Sequence, residues 1–338
     1  MTDYFRPLVQ IGPARPDTAV SLAGGWGWFT HAEVLSRSTP PRVVPAADIP
    51  ASVMARLTAP RPAMAGLTLD RPRIMGILNT TPDSFSDGGQ HNAVPDALRV
   101  AQEMVAAGAD ILDIGGESTR PGADFVPVSE EITRTAPVIA ALRGAGLHTP
   151  ISIDTRKAAV AEAAVSAGAN LVNDVSGFTF DPALGPLCQK LALPVCVMHA
   201  QGDPATMHLD PQYDNVLLDV FDALERQISM LEASGIPRGA ILADPGIGFG
   251  KTQDHNLALL ARLSLFHALG TPILLGVSRK RFIGTIGNAP QARDRAPGSI
   301  AVALAGLGQG VQMIRVHDVD DTRQAVALWH AAYFGSIL

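Results

Sequence analysis

From residue 74 onward, short apolar runs that stop on a polar side chain recur along the chain. The first, Ile74-Met75-Gly76-Ile77-Leu78-Asn79, is too short for a helix and lacks polar alternation. It therefore predicts a strand covered on both faces, as in parallel α/β sheets. Ala107-Gly108-Ala109-Asp110-Ile111-Leu112-Asp113 has the same form as Ala167-Gly168-Ala169-Asn170-Leu171-Val172-Asn173, a small-residue helix end, a glycine that stops it, then a strand. With Ile151-Ser152-Ile153-Asp154, Pro194-Val195-Cys196-Val197-Met198-His199 and looser copies, the strand ends run Asn79, Asp113, Asp154, Asn173, His199, Asp244, Ser278 and Arg315. Most steps between them are long enough for the helical crossover that parallel pairing requires.

The stretches between carry helical spacing. Pro95 suits a first turn and is followed by Leu98, Ala101, Met104 and Val105, with Gly108 as the stop. Ser129 is placed to cap the next helix, with Glu130 and Glu131 where the helix dipole favours anions and Ile132, Ala136, Ile139 and Leu142 as its apolar stripe. Leu217 to Leu231 predicts another helix. Repeating strand and helix units of this number predict a (β/α)8 TIM barrel over residues 71–338. A doubly wound open sheet is the runner-up, disfavoured because polar residues end every strand instead of gathering at one switch point. Residues 1–70 differ: they are proline-rich and hold Trp26 and Trp28, two of the three tryptophans. They predict an N-terminal extension packed on or beside the barrel, with no catalytic spacing of its own.

Composition narrows the function. Hydrophobic residues at 47% and charged ones at 17% are a globular balance with ample core. The net charge of -6 argues against nucleic acid as a partner and makes any anion site local. The two cysteines, Cys188 and Cys196, form no CxxC pair, and the start lacks a basic segment followed by an apolar one. A reducing cytoplasm is the expected compartment. No apolar run approaches a membrane span, so no membrane partner is expected.

In a barrel the strand ends converge on one mouth, where ligands bind. That mouth would hold Asn79, Asp113, Asp154, Asn173, Asp244, Ser278, Lys280 and Arg315, with His317 two residues further along an extended chain. Asp154 and Asp244 can accept paired N–H groups from a flat heterocycle, and Asn173 can read an edge that mixes donors and acceptors. Arg315 and His317 predict an anion site after the last strand, and a guanidinium can also stack on a flat ring. Two polar loops, Thr80 to Gly89 and Gly115 to Ala123, predict lids that exclude water. The run Asp244-Pro245-Gly246-Ile247-Gly248-Phe249-Gly250-Lys251 lacks the frame of a phosphate loop, which excludes a nucleoside triphosphatase; Phe249 is better placed as a pocket wall. The nine histidines form neither His-x-His nor His-Glu-x-x-His, which disfavours a zinc hydrolase. Asn79 beside a diphosphate suits Mg²⁺, which keeps waters and leans on phosphate oxygens.

Taken in order, Asn79 to Gly89, Gly115 to Gly122, Ile151 to Asp154, Asn173-Asp174, Asp244 to Lys251, Ser278-Arg279-Lys280 and Arg315-Val316-His317 resemble the dihydropteroate synthase family. The resemblance covers Ile74 to roughly Leu328. It implies a homodimeric transferase of folate biosynthesis that joins 6-hydroxymethyl-7,8-dihydropterin diphosphate to 4-aminobenzoate and releases diphosphate with Mg²⁺ present. It further implies that Asp113, Asp154, Asn173, Asp244, Lys280 and Arg315 bind pterin, while Asn79, Arg120, Arg315 and His317 hold diphosphate, with Asn79 on the metal. The 4-aminobenzoate side falls to Thr119, Pro121, Phe85, Phe249 and Ser278. Asp154, Asn79, Arg315 and His317 would carry the chemistry, Asp154 by stabilising a cation left on the pterin methylene. Two positions depart from the pattern, Thr80 in place of an apolar residue and Arg281 in place of serine. No insertion interrupts Ser118 to Gly122, which predicts sulfonamide sensitivity. The rivals are a pterin-binding methyltransferase on the same barrel, which has no use for a diphosphate site, and a non-catalytic pterin-binding protein.

Overall fold

The computed structural model describes residues 3–81, 93–118, 125–202, 207 and 210–337. Its first part is small and mostly β: β1 (Tyr4–Pro7), β2 (Val20–Ser21), β3 (Trp28–Phe29), β4 (His31–Leu35) and β5 (Arg42–Pro45), then α1 (Ala51–Thr58). β1, β4 and β5 form an antiparallel sheet and β2 pairs with β3. Phe5, Leu22, Phe29, Val34 and Leu57 bury one another here together with Ala268 from the following part.

There β6 (Arg73–Asn79), β7 (Ile111–Gly115), β8 (Ile151–Asp154), β9 (Leu171–Asp174), β10 (Val195–Met198), β11 (Ile241–Asp244), β12 (Leu274–Leu275) and β13 (Met313–Val316) make one parallel sheet in the order β11-β10-β9-β8-β7-β6-β13-β12. A parallel bridge between Ala243 and Ile273 joins the two edges, closing a (β/α)8 barrel. Its outer helices are α2 (Ala93–Ala106), α3 (Val128–Gly144), α4 (Ala158–Ala167), α5 (Leu184–Lys190), α6 (Val216–Ala233), α7 (Gln253–Leu260), α8 (Arg281–Ile286), α9 (Ala296–Gly308) and α10 (Val319–Phe334). Gly108 and Gly168 follow α2 and α4 with φ of +100° and +119°, a conformation that side chains disfavour, so glycine is what lets the chain turn into β7 and β9.

Period-two alternation sorts each strand between two surroundings. Ile74, Ile114, Ile153, Val172, Val197, Ile241 and Ile314 point outward and are buried beneath the helices. Met75, Ile111, Leu171, Cys196, Leu242, Leu274 and Met313 point inward and fill the interior in one layer, onto which Met64 and Leu69 of the preceding segment close. Two residues on from Ile111, Leu171, Leu242 and Met313 come Asp113, Asn173, Asp244 and Arg315, and Ser152 is likewise followed by Asp154. The polar side chains are therefore the next inward layer, at the carboxyl ends of the strands.

Some local expectations are corrected. α3 starts at Val128 after Pro127, so Ser129 lies within the first turn and caps nothing. Its buried face is Glu131, Thr135, Val138, Ile139 and Leu142, with Ile132 and Ala136 only half-buried. Asp113 and Arg315 sit inside their strands, and Ser278 lies beyond the short β12. His199, just past β10, turns away from the barrel axis because Met198 takes the inward position. Trp26 ties the first part to the barrel, its Nε1 donating to the Leu307 carbonyl at 2.9 Å and its ring edge-on to Trp329, whereas the Trp28 Nε1 donates to Gly12 within the same segment.

Candidate active site

Arg315 organises the mouth. Its Nε donates to Asp113 Oδ2 at 2.6 Å and its Nη2 to Asp154 Oδ2 at 2.8 Å, while Asn173 Nδ2 donates to the same Asp113 oxygen at 3.1 Å. Residues from four strands are thus joined side chain to side chain. Asp113 is fully buried, and its Oδ1 has no hydrogen-bond partner among the described residues. Such an atom is costly unless a ligand N–H meets it.

Burial pushes the Asp154 carboxyl up to about 8, against the pull of Arg315 and with help from the nearby charges of Asp113, Glu131 and Asp174. Asp244 is raised for the same first reason, opposed by the Gly246 N–H that its Oδ1 accepts at 2.7 Å and by Lys280. Lys280, desolvated, falls to about 8, although Asp244 and Asp154 favour its charge. Its Nζ lies 3.9 Å from the centroid of the Phe249 ring, a cation–π contact. Ser278 Oγ lies 2.9 Å from His317 Nδ1 and accepts from the His317 backbone N–H at 3.1 Å, which fixes the imidazole beside the end of β13. Arg279, next to Ser278, pairs with Asp318, next to His317, so two adjacent side-chain pairs join these strand ends. Asn79 ends β6 and pairs in register with Gly115. Phe85, Thr119, Arg120 and Pro121 lie outside the described residues.

The sequence reading missed a charged cluster in the segments that follow β7 and β8. Lys157, after Asp154-Thr155-Arg156, contacts Glu131 Oε2 at 2.6 Å and Glu117 Oε1 at 3.1 Å and donates to the Val126 carbonyl. Glu117 also accepts from the Val126 N–H and pairs with Arg156. The available signal was the spacing of Glu131, Thr135, Val138 and Leu142, which puts the glutamate on a buried helix face. Among the described residues no group of three or more His, Cys, Asp or Glu side chains is placed to hold a metal ion.

A parallel barrel whose mouth carries carboxylates, an amide and a guanidinium in one layer defines a class, enzymes that hold a flat, polar heterocycle at the carboxyl ends of the strands. Residues 75–317 match the pattern of the family described as pterin binding enzyme, and the chain belongs to that family. Among its relatives, the dihydropteroate synthase of Escherichia coli (strain K12) is 45% identical over 255 residues, which is 75% of this chain and 89% of the relative. The dihydropteroate synthase of Synechocystis sp. is 44% identical over 257 residues, with the same shares. Among solved structures, Xanthomonas albilineans dihydropteroate synthase with 4-aminobenzoic acid shares 45% identity and a TM-score of 0.75, covering 79% of this chain and 96% of that one. The Yersinia pestis enzyme with a sulfonamide drug complex gives 45% identity and 0.75 over 80% and 98%. The Xanthomonas albilineans enzyme with 7,8-dihydropteroate gives 42% and 0.72 over 79% and 95%.

Proposed function

We infer that this chain condenses 6-hydroxymethyl-7,8-dihydropterin diphosphate with 4-aminobenzoate, giving 7,8-dihydropteroate and diphosphate, as a dihydropteroate synthase. The observation that carries the reading is Arg315 spanning Asp113 and Asp154 in the same inward layer as Asn173 and Asp244. The open Asp113 Oδ1, Asn173 and Asp244 offer acceptors and donors to a pterin edge, while Arg315 stands between that edge and the departing anion. When the pterin C–O bond breaks, its electrons leave with diphosphate and positive charge develops on the methylene. A carboxylate fixed at Asp154 stabilises that charge without reorganising, and Arg315, Arg120 and His317 favour the leaving anion. The arylamine nitrogen then forms the new C–N bond and loses a proton. Phe249, Ser278, Phe85, Thr119 and Pro121 are the residues for the arylamine in this reading.

Mg²⁺, when bound, neutralises diphosphate charge. Asn79 supplies one neutral oxygen donor at the mouth, which suits a hard cation that takes its other ligands from phosphate and water. No helix among the described residues is long and apolar enough to cross a membrane. A cytoplasmic homodimer, with residues 1–70 as an extension to the barrel, completes the proposal.

Incubating the purified protein with the pterin diphosphate, Mg²⁺ and 4-aminobenzoate should yield dihydropteroate and diphosphate in equal amounts. Binding of the pterin with no diphosphate released would leave a non-catalytic binding protein. Sulfonamides should compete with 4-aminobenzoate, and growth rescue of a synthase-deficient strain that persists unaltered in sulfonamide would count against this.

A further inference from the structure

The glycine-rich run after β11 is not a phosphate loop, and its lysine has no part in the site described above. Lys251 is 5% exposed, and its Nζ is ringed by acceptors. It lies 2.9 Å from the carbonyls of both Gly246 and Phe249, 3.2 Å from that of His199 and 3.0 Å from His199 Nδ1. Burial lowers Lys251 to about 7 although Asp244 favours its charge; in its ammonium form it donates to a bare His199 Nδ1, with the imidazole proton on Nε2. Burial and the adjacent Lys251 charge hold this imidazole down to about 3, which keeps it neutral. One side chain thus ties the end of β10 to both limbs of the turn after β11.

The backbone is bent closely around that tie. Gly246 and Gly250 have φ of +67° and +58°, and a Cβ would stand 1.9 Å from the His199 carbonyl oxygen at the first and 2.6 Å from that of Gln201 at the second. The same turn supports the mouth: a Cβ on Gly248 would meet Lys280 Cδ at 2.9 Å, and Lys280 Nζ lies over the Phe249 ring. Where the turn sits therefore decides where Phe249 sits, with Lys280 packed against it from the other side.

We propose that Lys251 is a positioning residue for the arylamine half of the reaction: by gathering the carbonyls of His199, Gly246 and Phe249 it fixes the turn that carries Phe249, a wall of the 4-aminobenzoate pocket. The proposal rests on the functional reading above, in which Phe249 lines that pocket.

Steady-state kinetics of Lys251→Met, which keeps the length and removes the donor, test it. The KM for 4-aminobenzoate should rise about tenfold, with the KM for the pterin diphosphate changed far less. Phe249→Ala should raise the same KM, and the double variant should add little to it, since both changes act through one wall. Lys251→Gln, which keeps an N–H donor, should recover part of the loss, and it carries the test if Lys251→Met does not fold. A lowered Tm with an unchanged KM for 4-aminobenzoate, or fully additive effects with Phe249→Ala, would overturn the proposal. Phe249→Ala leaving that KM unchanged would instead overturn the pocket assignment, and the Lys251 proposal with it.

Discussion

Asp154 is the residue at which charge and burial conflict most directly. Its carboxyl is buried at the mouth with one guanidinium against it, and desolvation lifts it from 3.8 to about 8. A carboxyl raised in the folded state is held protonated there, so its share of stability is full at low pH and declines as pH climbs from 3.8 toward 8. Activity runs the other way, because the ionised form is the one that stabilises a cation. For the free enzyme, kcat/KM should therefore increase with pH on a limb approaching 8 and, because Lys280 loses its charge over the same range, turn down above it. Asp154→Asn should keep the fold, lose that limb and slow turnover by roughly 100-fold, the scale seen when one preorganised electrostatic group is removed. An unchanged kcat, or a limb that survives the substitution, would remove Asp154 from this role. That an aspartate ends this strand was legible in the chain, but its raised pKa was not, since the neighbours that raise it, Asp113, Glu131 and Asp174, come from other elements.

At the scale of elements, the strands deliver the site because two residues is the repeat of an extended chain. Ile111 and Asp113, Leu171 and Asn173, Leu242 and Asp244, Met313 and Arg315 are each one step apart on the same face, the apolar member filling the barrel and the polar member lining its mouth. That much could be read from the runs themselves. Ser129 shows where such reading fails: Pro127 at the N-cap position already sets the helix start, so a good capping side chain falls two residues too late to act. Glu131 shows a second failure. Its first-turn position explains its compatibility with the helix, but Lys157 at the start of α4 explains its burial. Lys157→Met would leave Glu131, fully buried, and Glu117 facing each other without their shared cation. Loss of one partner from such a buried pair should cost roughly 3–5 kcal/mol, measured by denaturant unfolding. A change below about 1 kcal/mol would mean that water reaches these carboxylates.

At the scale of the whole molecule, one stretch of the first part of the chain closes the end of the barrel opposite the mouth, while its sheet packs along the side, Arg37 pairing with Asp219 and Asp222 of α6. Met64 and Leu69, each 2% exposed, pack on the inward layer of Met75, Ile111 and Leu171, one layer below Asp113 and Asn173. Arg61 donates to the His267 carbonyl, Ser264 to the Pro7 carbonyl, and Glu33 pairs with Arg262, so the contact continues around the approach to β12. A chain beginning at residue 71 should therefore lose stability, with Tm lower by about 10 °C or more, because apolar barrel residues would be opened to water. The KM values of whatever folds should be unaffected, and a large change in KM with an unaltered Tm would show that the segment serves the site. By itself the sequence determined the alternation of strand and helix and the polar residue types carried by each strand, because those follow from side-chain periodicity and local backbone preference. Only the tertiary structure decided that Arg315 bridges Asp113 and Asp154, that His199 leaves the mouth for Lys251, and that Glu131 is buried on Lys157. Hydrogen bonds between side chains dozens to hundreds of positions apart depend on ring closure and strand register, which no local run encodes.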